Sequence, residues 1–465
     1  MMKRYAFYVL IVLAALALMN FAVPMSDSAD HGGGGHADPV APVLLALMVI
    51  LFSAKLGGAL FERMHQPAVL GELLVGVVLG NLVLLDPSLG FFEPLRAEQI
   101  TIDWAVAVDD LARLGVILLL FEVGLESNIA EMRKVGTSSF LVAAVGVVAP
   151  FILGYGVSTM FITEVPESIL ALSPNFDLSN IHLFIGATLC ATSVGITARV
   201  FKDLGKIQTS EAKIILGAAV IDDVLGLIIL AIVSGIVVAA ETGGQVAVGT
   251  LIQITVIAIG FLIGALVIGT VLVPRTMKTL SRLRTSGMML ISALLFCFLL
   301  SYLANLAGLA TIVGAFAAGL ILEEVHFTEF KEKRTLHDIL TPVAAFLVPI
   351  FFVLMGIQVR LETFLQGDVI ALAIGLSVAA FIGKQVCGLA VVERGMDRLT
   401  VGLGMIPRGE VGLIFASIGK SLGVVDDAVF SAVVIMVIVT TLMTPPLLKF
   451  SLARFEKKQN ARLAR

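Results

Sequence analysis

The feature that most constrains this chain is a run of apolar stretches, each about 20 residues long, recurring from one end of the sequence to the other. A helix rises about 1.5 Å per residue, so each stretch matches the roughly 30 Å hydrocarbon core of a bilayer. Fourteen stretches meet this length: 5–24, 40–62, 67–85, 107–125, 137–162, 180–202, 211–238, 249–274, 287–307, 309–323, 340–360, 369–392, 399–420 and 427–450. Of the connections, only 86–106, 163–179 and 324–339 have any length, and none could hold a domain. The alternating ten-residue segments of a spanning β-barrel are absent. The expected fold is an all-α polytopic membrane protein with 13–14 transmembrane helices.

Composition agrees. The chain is 58% hydrophobic and 14% charged, against about 25% charged in a soluble domain. It lacks the polar surface of a soluble enzyme, a nucleic-acid binder or a disordered scaffold. No enzymatic activity and no cofactor are expected. Cys190, Cys297 and Cys387 lie inside apolar runs and read as small core residues.

Three segments follow. Residues 1–39 hold a basic start, an apolar run to Pro24 that fits a signal anchor or a signal peptide, and a Gly/His-rich linker, HGGGGH at 31–36. That linker reads as a flexible spacer. Residues 40–450 form the transmembrane domain, and 451–465 a short basic tail.

Lys and Arg concentrate in alternate loops: Arg133 and Lys134; Arg199, Lys202, Lys206 and Lys213; Arg275, Lys278, Arg282 and Arg284; Lys331, Lys333 and Arg334; Arg394 and Arg398; and the tail. The loops between carry only Arg96, Arg360 and Lys420. Positive loops stay inside, so the tail is expected to be cytoplasmic, in a cell inner membrane.

The chain also repeats itself. LLLFEVGLE at 118–126 precedes an apolar helix, a helix interrupted by small and polar residues, and a closing helix. IFFVLMGIQVRLE at 350–362 precedes the same series. The interrupted helices read ATSVGITARVFKDLG from Ala191 and PRGEVGLIFASIGKSLG from Pro407. By the loop count one enters from outside and the other from inside. Inverted repeats with two crossed discontinuous helices mark secondary transporters, with the site at the crossing.

Ionisable residues at bilayer depth are costly and usually functional. Asp222 and Asp223 lie roughly 13 Å from the cytoplasmic end of their span, and Lys384 roughly 8–12 Å from that face. Thr192 and Ser193 lie at about 13–15 Å, and Arg408 and Glu410 at about 14–16 Å. Two adjacent carboxylates cannot both ionise cheaply in a low-dielectric cavity, so each exchanges a proton for a bound cation. A buried lysine keeps its charge only where a carboxylate holds it. A cation reaching the aspartates could free Lys384 and expel its proton, the minimum of a proton/cation exchanger.

Other charged residues read more plainly. Asp109–Asp110 and Asp426–Asp427 are expected to be caps at outer helix ends. Glu72 and Glu122 lie within spans and could line a cavity or pack on a polar partner. Arg113 is expected to snorkel, and His182 to sit at the outer interface.

The segments at 67–80 (PAVLGELLVGVVLG), 118–126, 191–205, 218–233 (AAVIDDVLGLIILAIV) and 405–419 (MIPRGEVGLIFASIG) together resemble the second family of monovalent cation:proton antiporters, of the bacterial NapA type. The resemblance implies a homodimer in which a core domain moves against a dimerisation domain like an elevator. It implies that Asp223 carries the cation or proton, that Asp222 pairs with Lys384, and that exchange is electrogenic. Thr192 and Ser193 would complete the cation site, and Arg408 and Glu410 would balance the half-helix dipoles. The partners implied are Na+ or Li+, with K+ as an alternative, together with H+ and membrane lipid. No nucleic-acid partner is expected. A K+/H+ antiporter is the nearest rival reading, and a sodium-coupled organic-anion symporter a more distant one. The stretch 1–39 lies outside the resemblance, and the large cytoplasmic nucleotide-binding domains of potassium-efflux relatives have no counterpart in the sequence.

Overall fold

A computed structural model describes residues 38, 40–64, 66–97, 100–126, 136–172, 176–206, 208–241, 248–283, 285, 287–322, 335–365, 367–393 and 395–463. The apolar run 5–24, the HGGGGH linker, the basic loops around Arg133 and Lys331, and Arg394 itself lie outside the described residues. The regular elements among the described residues are all helices, with no strand. In an apolar solvent each backbone N–H must find its carbonyl within the same segment, which leaves the helix as the available form.

The chain divides into two compact units: Met1–Leu119 with Leu340–Glu362, and Leu120–Ile339 with Thr363–Arg465.

The first unit opens with α1 (Ala41–Arg63) and α2 (Ala68–Gly80), a helical hairpin. Its close packing depends on glycine. A Cβ on Gly57 would fall 2.4 Å from the Gly71 carbonyl oxygen, and one on Gly71 would fall 2.1 Å from that of Gly57. Backbones that touch in this way gain dispersion contacts that larger side chains would prevent. After α2 the chain bends by 111° into a 3₁₀ segment, Pro87–Arg96. Arg96 pins this bend. Its guanidinium is 1% exposed and reaches Glu362 at 2.9 Å, Glu93 at 3.1 Å and the Asn81 side-chain oxygen at 3.3 Å. Asn81 in turn donates to the carbonyls of Val77 and Val359, both at 2.8 Å. The sequence marks 86–106 only as one of the longer connections; one buried arginine orders its first half.

Helix α3 (Asp103–Glu126) starts four residues before the expected span at 107. This corrects the reading of Asp109 as a cap. Asp109 lies inside the helix and pairs with Arg113 one turn on, at 2.7 Å.

The second unit holds α4 (Thr137–Phe161), α5 (Leu178–Thr188), α6 (Val194–Asp203), α7 (Ser210–Glu241), α8 (Val248–Ser281), α9 (Met288–Leu306) and α10 (Thr311–Ile321). After α11 (Leu336–Ile357), whose larger part belongs to the first unit, come α12 (Gly367–Cys387), α13 (Arg398–Gly404), α14 (Gly409–Ser421) and α15 (Asp427–Leu463). Helix α15 continues to Leu463 through most of what the sequence suggested as a tail from 451.

The spans at 180–202 and 399–420 are both broken, between Thr188 and Val194 and between Gly404 and Gly409. In the second break Pro407 has no N–H for a continuing helix. The two broken helices run in opposite senses. A Cβ on Gly419 in α14 would fall 2.6 Å from the ring of Phe184 in α5, which places the outgoing half of one beside the incoming half of the other. On the far side of the breaks, Thr197 Oγ1 of α6 donates to the Gly404 carbonyl at the end of α13, at 2.6 Å.

All three cysteines are buried and free. His182, expected at the outer interface, is enclosed by protein; its Nδ1 lies 2.7 Å from Ser158 Oγ, and its ring packs edge-on to Tyr155.

Candidate functional site

The two breaks meet. Ser193 N–H donates to the Pro407 carbonyl at 2.8 Å, and Thr192 Oγ1 lies 3.5 Å from the Met405 carbonyl. Arg408 donates through Nη1 to the Ala191 carbonyl. Each break therefore satisfies part of the other's freed backbone, the condition for unwound chain at bilayer depth. The negative ends of α5 and α13 and the positive ends of α6 and α14 converge on this point.

Asp222 and Asp223 sit on the middle of α7, where a continuous helix holds both carboxylates in fixed directions. Asp222 has no exposed surface. Its Oδ1 accepts from Lys384 Nζ of α12 at 2.8 Å, and Lys384 is also fully buried. Among the described residues the second oxygen, Oδ2, has no hydrogen-bond partner. Asp223, the next residue, is only partly buried. Asp222 and Asp223 are the charged residues among the lining of a narrow, otherwise apolar cavity of about 10 Å³, enough for about one water-sized body. Ala191, Phe316, Val411 and Phe415 are among its walls.

A glycine lies against the ion pair. A Cβ on Gly146 of α4 would stand 3.5 Å from Lys384 Nζ and 3.7 Å from Asp222 Oδ1.

Thus Asp222, Asp223, Lys384, Arg408, Thr192 and Ser193, six residues from four separate places in the sequence, fall in one region of one unit. Thr192 and Ser193 are buried in the break; the cavity wall takes their neighbour Ala191 rather than either of them. Arg408 has no exposed surface, and among the described residues its Nε and Nη2 have no hydrogen-bond partner. The side chain of Glu410 lies outside what is described. Glu72 is buried in the first unit, in the α1–α2 hairpin. Sequence reasoning missed Thr197 and Gly146. A threonine in a helix and a glycine in an apolar span carry no mark of the carbonyl or the ion pair they face.

Comparison with known proteins adds a family. The family described as sodium/hydrogen exchanger, transmembrane, matches residues 47–453. The High-affinity Na(+)/H(+) antiporter NhaS3 of Synechocystis sp. is 38% identical over 452 residues, covering 91% of this chain and 92% of that protein. The Na(+)/H(+)-K(+) antiporter GerN of Bacillus cereus is 35% identical over 420 residues, covering 89% of this chain and 97% of that one. Among solved structures, the sodium proton antiporter MjNhaP1 from Methanocaldococcus jannaschii shares the fold, with a TM-score of 0.61 at 16% identity, covering 89% of this chain and 99% of that one. With most of its length matched by the family and by these relatives, the chain belongs to the transmembrane sodium/hydrogen exchangers.

Proposed function

We propose that this protein exchanges Na+ for H+ across a cell's inner membrane by alternating access, with its C-terminus in the cytoplasm. The observation that carries the reading is the arrangement around α7. A buried carboxylate is held by a buried lysine, and a second, more accessible carboxylate stands beside it in a cavity the size of one small ion or water.

Asp223 is the carrier. It faces the cavity and alternates between a proton and the cation. Asp222 offers its unpaired oxygen to the same ion. Thr192, Ser193 and carbonyls freed at the breaks supply further hard oxygen ligands, as suits a small monovalent cation. A cation entering displaces the proton of Asp223. By drawing on Asp222 it loosens Lys384, whose ammonium then sheds a second proton. Exchange of more protons than cations follows, and it moves charge. Arg408 and Glu410 offset the helix ends that meet at the crossing.

Li+ fits the same ligand set. A potassium reading draws support from one relative, whose name couples Na+/H+ with K+. We propose also that the protein works as a homodimer in the lipid bilayer.

The test is exchange in proteoliposomes, comparing Na+, Li+ and K+. Asp223→Asn is expected to abolish cation-driven proton movement while the protein still folds. Full exchange in that variant would remove Asp223 from the mechanism.

A further inference from the structure

Gly409 is the first residue of α14, and its N–H is one of the donors that a helix start leaves without an internal partner. At bilayer depth water does not supply the missing acceptor. The residue before it, Arg408, makes no capping hydrogen bond with its side chain. The acceptor comes instead from a different helix: Gly409 N lies 3.3 Å from Thr441 Oγ1, on α15. Thr441 is 1% exposed. Its neighbours Thr440 and Thr444 turn their hydroxyls to carbonyls of their own helix, at 2.9 Å on Met436 and 2.7 Å on Thr440. One turn further along α14 the same two helices touch again, where a Cβ on Gly412 would stand 3.0 Å from Val437, one turn before Thr441.

The other side of Gly409 faces the first break. Its φ is +39°, and a Cβ there would lie 2.6 Å from both Cβ and Oγ of Ser193. Gly409 is therefore held between Thr441 on one side and Ser193 on the other, and Ser193 is tied to the same break through the Pro407 carbonyl.

We propose that Thr441 is a positioning residue for the cation site. Its hydroxyl fastens the first amide of α14 to α15, and through Gly409 it fixes where Ser193 and the two opposed helix ends stand. The proposal rests on the reading that Na+ binds at this crossing. Without the hydroxyl, the Gly409 N–H loses its acceptor, and the backbone at Gly409, which stands directly against Ser193, is no longer fastened to α15. The Ser193 ligand would then lose its fixed position.

The test uses the full-length protein in detergent and reads the Na+ concentration that gives half of the Na+-dependent thermal stabilisation. This readout needs binding but not transport, and exchange is measured in parallel. Thr441→Val keeps the shape and removes the acceptor; Thr441→Ser keeps the acceptor. Thr441→Val is expected to raise the Na+ midpoint about three- to tenfold, from part of the cost of an unmet buried donor, while Thr441→Ser stays at the wild-type midpoint. Thr441→Ala, equally free of an acceptor, serves if the valine variant does not fold. A lower baseline melting temperature with an unchanged Na+ midpoint would mean a structural role only and overturn the proposal. A shifted midpoint in a protein without exchange would uphold the positioning role and remove the exchange reading. A wild type with no Na+-dependent stabilisation would overturn both.

Discussion

Lys384 Nζ lies 2.8 Å from Asp222 Oδ1, and neither side chain has any exposed surface. A buried pair of this kind adds little net stability, because desolvation of both charges offsets their attraction; breaking it is another matter, costing about 3–5 kcal/mol. The surroundings make the two halves unequal. Arg408, also without exposed surface, stands at the break beside the same cavity, so a second buried cation shares this region with Asp222. Asp222→Asn leaves both of them uncompensated and is expected to destabilise by about 3–5 kcal/mol. Lys384→Gln leaves Asp222 with Arg408 and is expected to cost less. The double variant should be no less stable than Asp222→Asn alone, since the lysine charge is then a burden. Denaturation of the three variants in detergent checks this. Simple addition of the single effects would show that the pair is not coupled.

Much of this site was legible in the sequence, and the reason is physical. Charges are rare at bilayer depth, so Asp222, Lys384 and Arg408 stood out against apolar neighbours, and counting residues from the loops placed them at one level. The breaks at 189–193 and 405–408 were legible because Thr, Ser, Gly and Pro interrupted otherwise continuous apolar helices. What the sequence concealed was lateral placement. Arg96 was one charge in an outer loop, and nothing near it foretold that its guanidinium would be 1% exposed and would order the chain from Asn81 to Glu362. Asp109 reads as a cap when the span is taken to begin at 107; the helix starts earlier, at Asp103, and the apolar run from Trp104 to Val108 already belongs to it. Thr441 stood among other small polar residues in an apolar helix, where packing is the default reading.

Gly146 tests how much room the ion pair needs. A methyl there would meet Lys384 and Asp222 at ordinary contact distances of 3.5 and 3.7 Å. Gly146→Ala should therefore fit, and the gain in helix propensity should stabilise the protein by up to about 1 kcal/mol. Gly146→Leu extends into the pair and should abolish exchange. If the leucine variant kept wild-type exchange, the pair would have freedom that the packing of α4 does not suggest.

Gly409 is expected to tolerate no side chain. Its φ of +39° is a conformation that L side chains rarely adopt, and a Cβ would strike Ser193 at 2.6 Å. Gly409→Ala should destabilise by about 1–3 kcal/mol from backbone strain alone. It should also weaken Na+-dependent stabilisation, because Ser193 must move. Gly264→Ala, on an ordinary helical backbone in α8 where a Cβ would meet nothing within 4 Å, provides a control for the loss of a helical glycine. Equal effects from the two substitutions would argue against a special conformation at Gly409.

Asp177 caps α5 from outside the membrane span, its Oδ1 accepting from Ser179 N–H at 2.9 Å. Hydrogen bonding to Ser179, through side chain and backbone, holds this carboxyl below the ordinary aspartate range. A depressed value means that the folded state favours the ionised form. The contribution is therefore present above the aspartate value of the unfolded chain and is lost as pH falls through the folded one. Asp177→Ala is expected to cost about 1 kcal/mol at neutral pH, the usual worth of an N-cap. The gap from wild type should narrow as the pH drops below about 4, where the capping carboxylate takes up its proton. Thermal unfolding of the two proteins across pH measures this directly. A gap that stays constant down to pH values below the aspartate range would assign the effect of the substitution to helix propensity rather than to the charged cap.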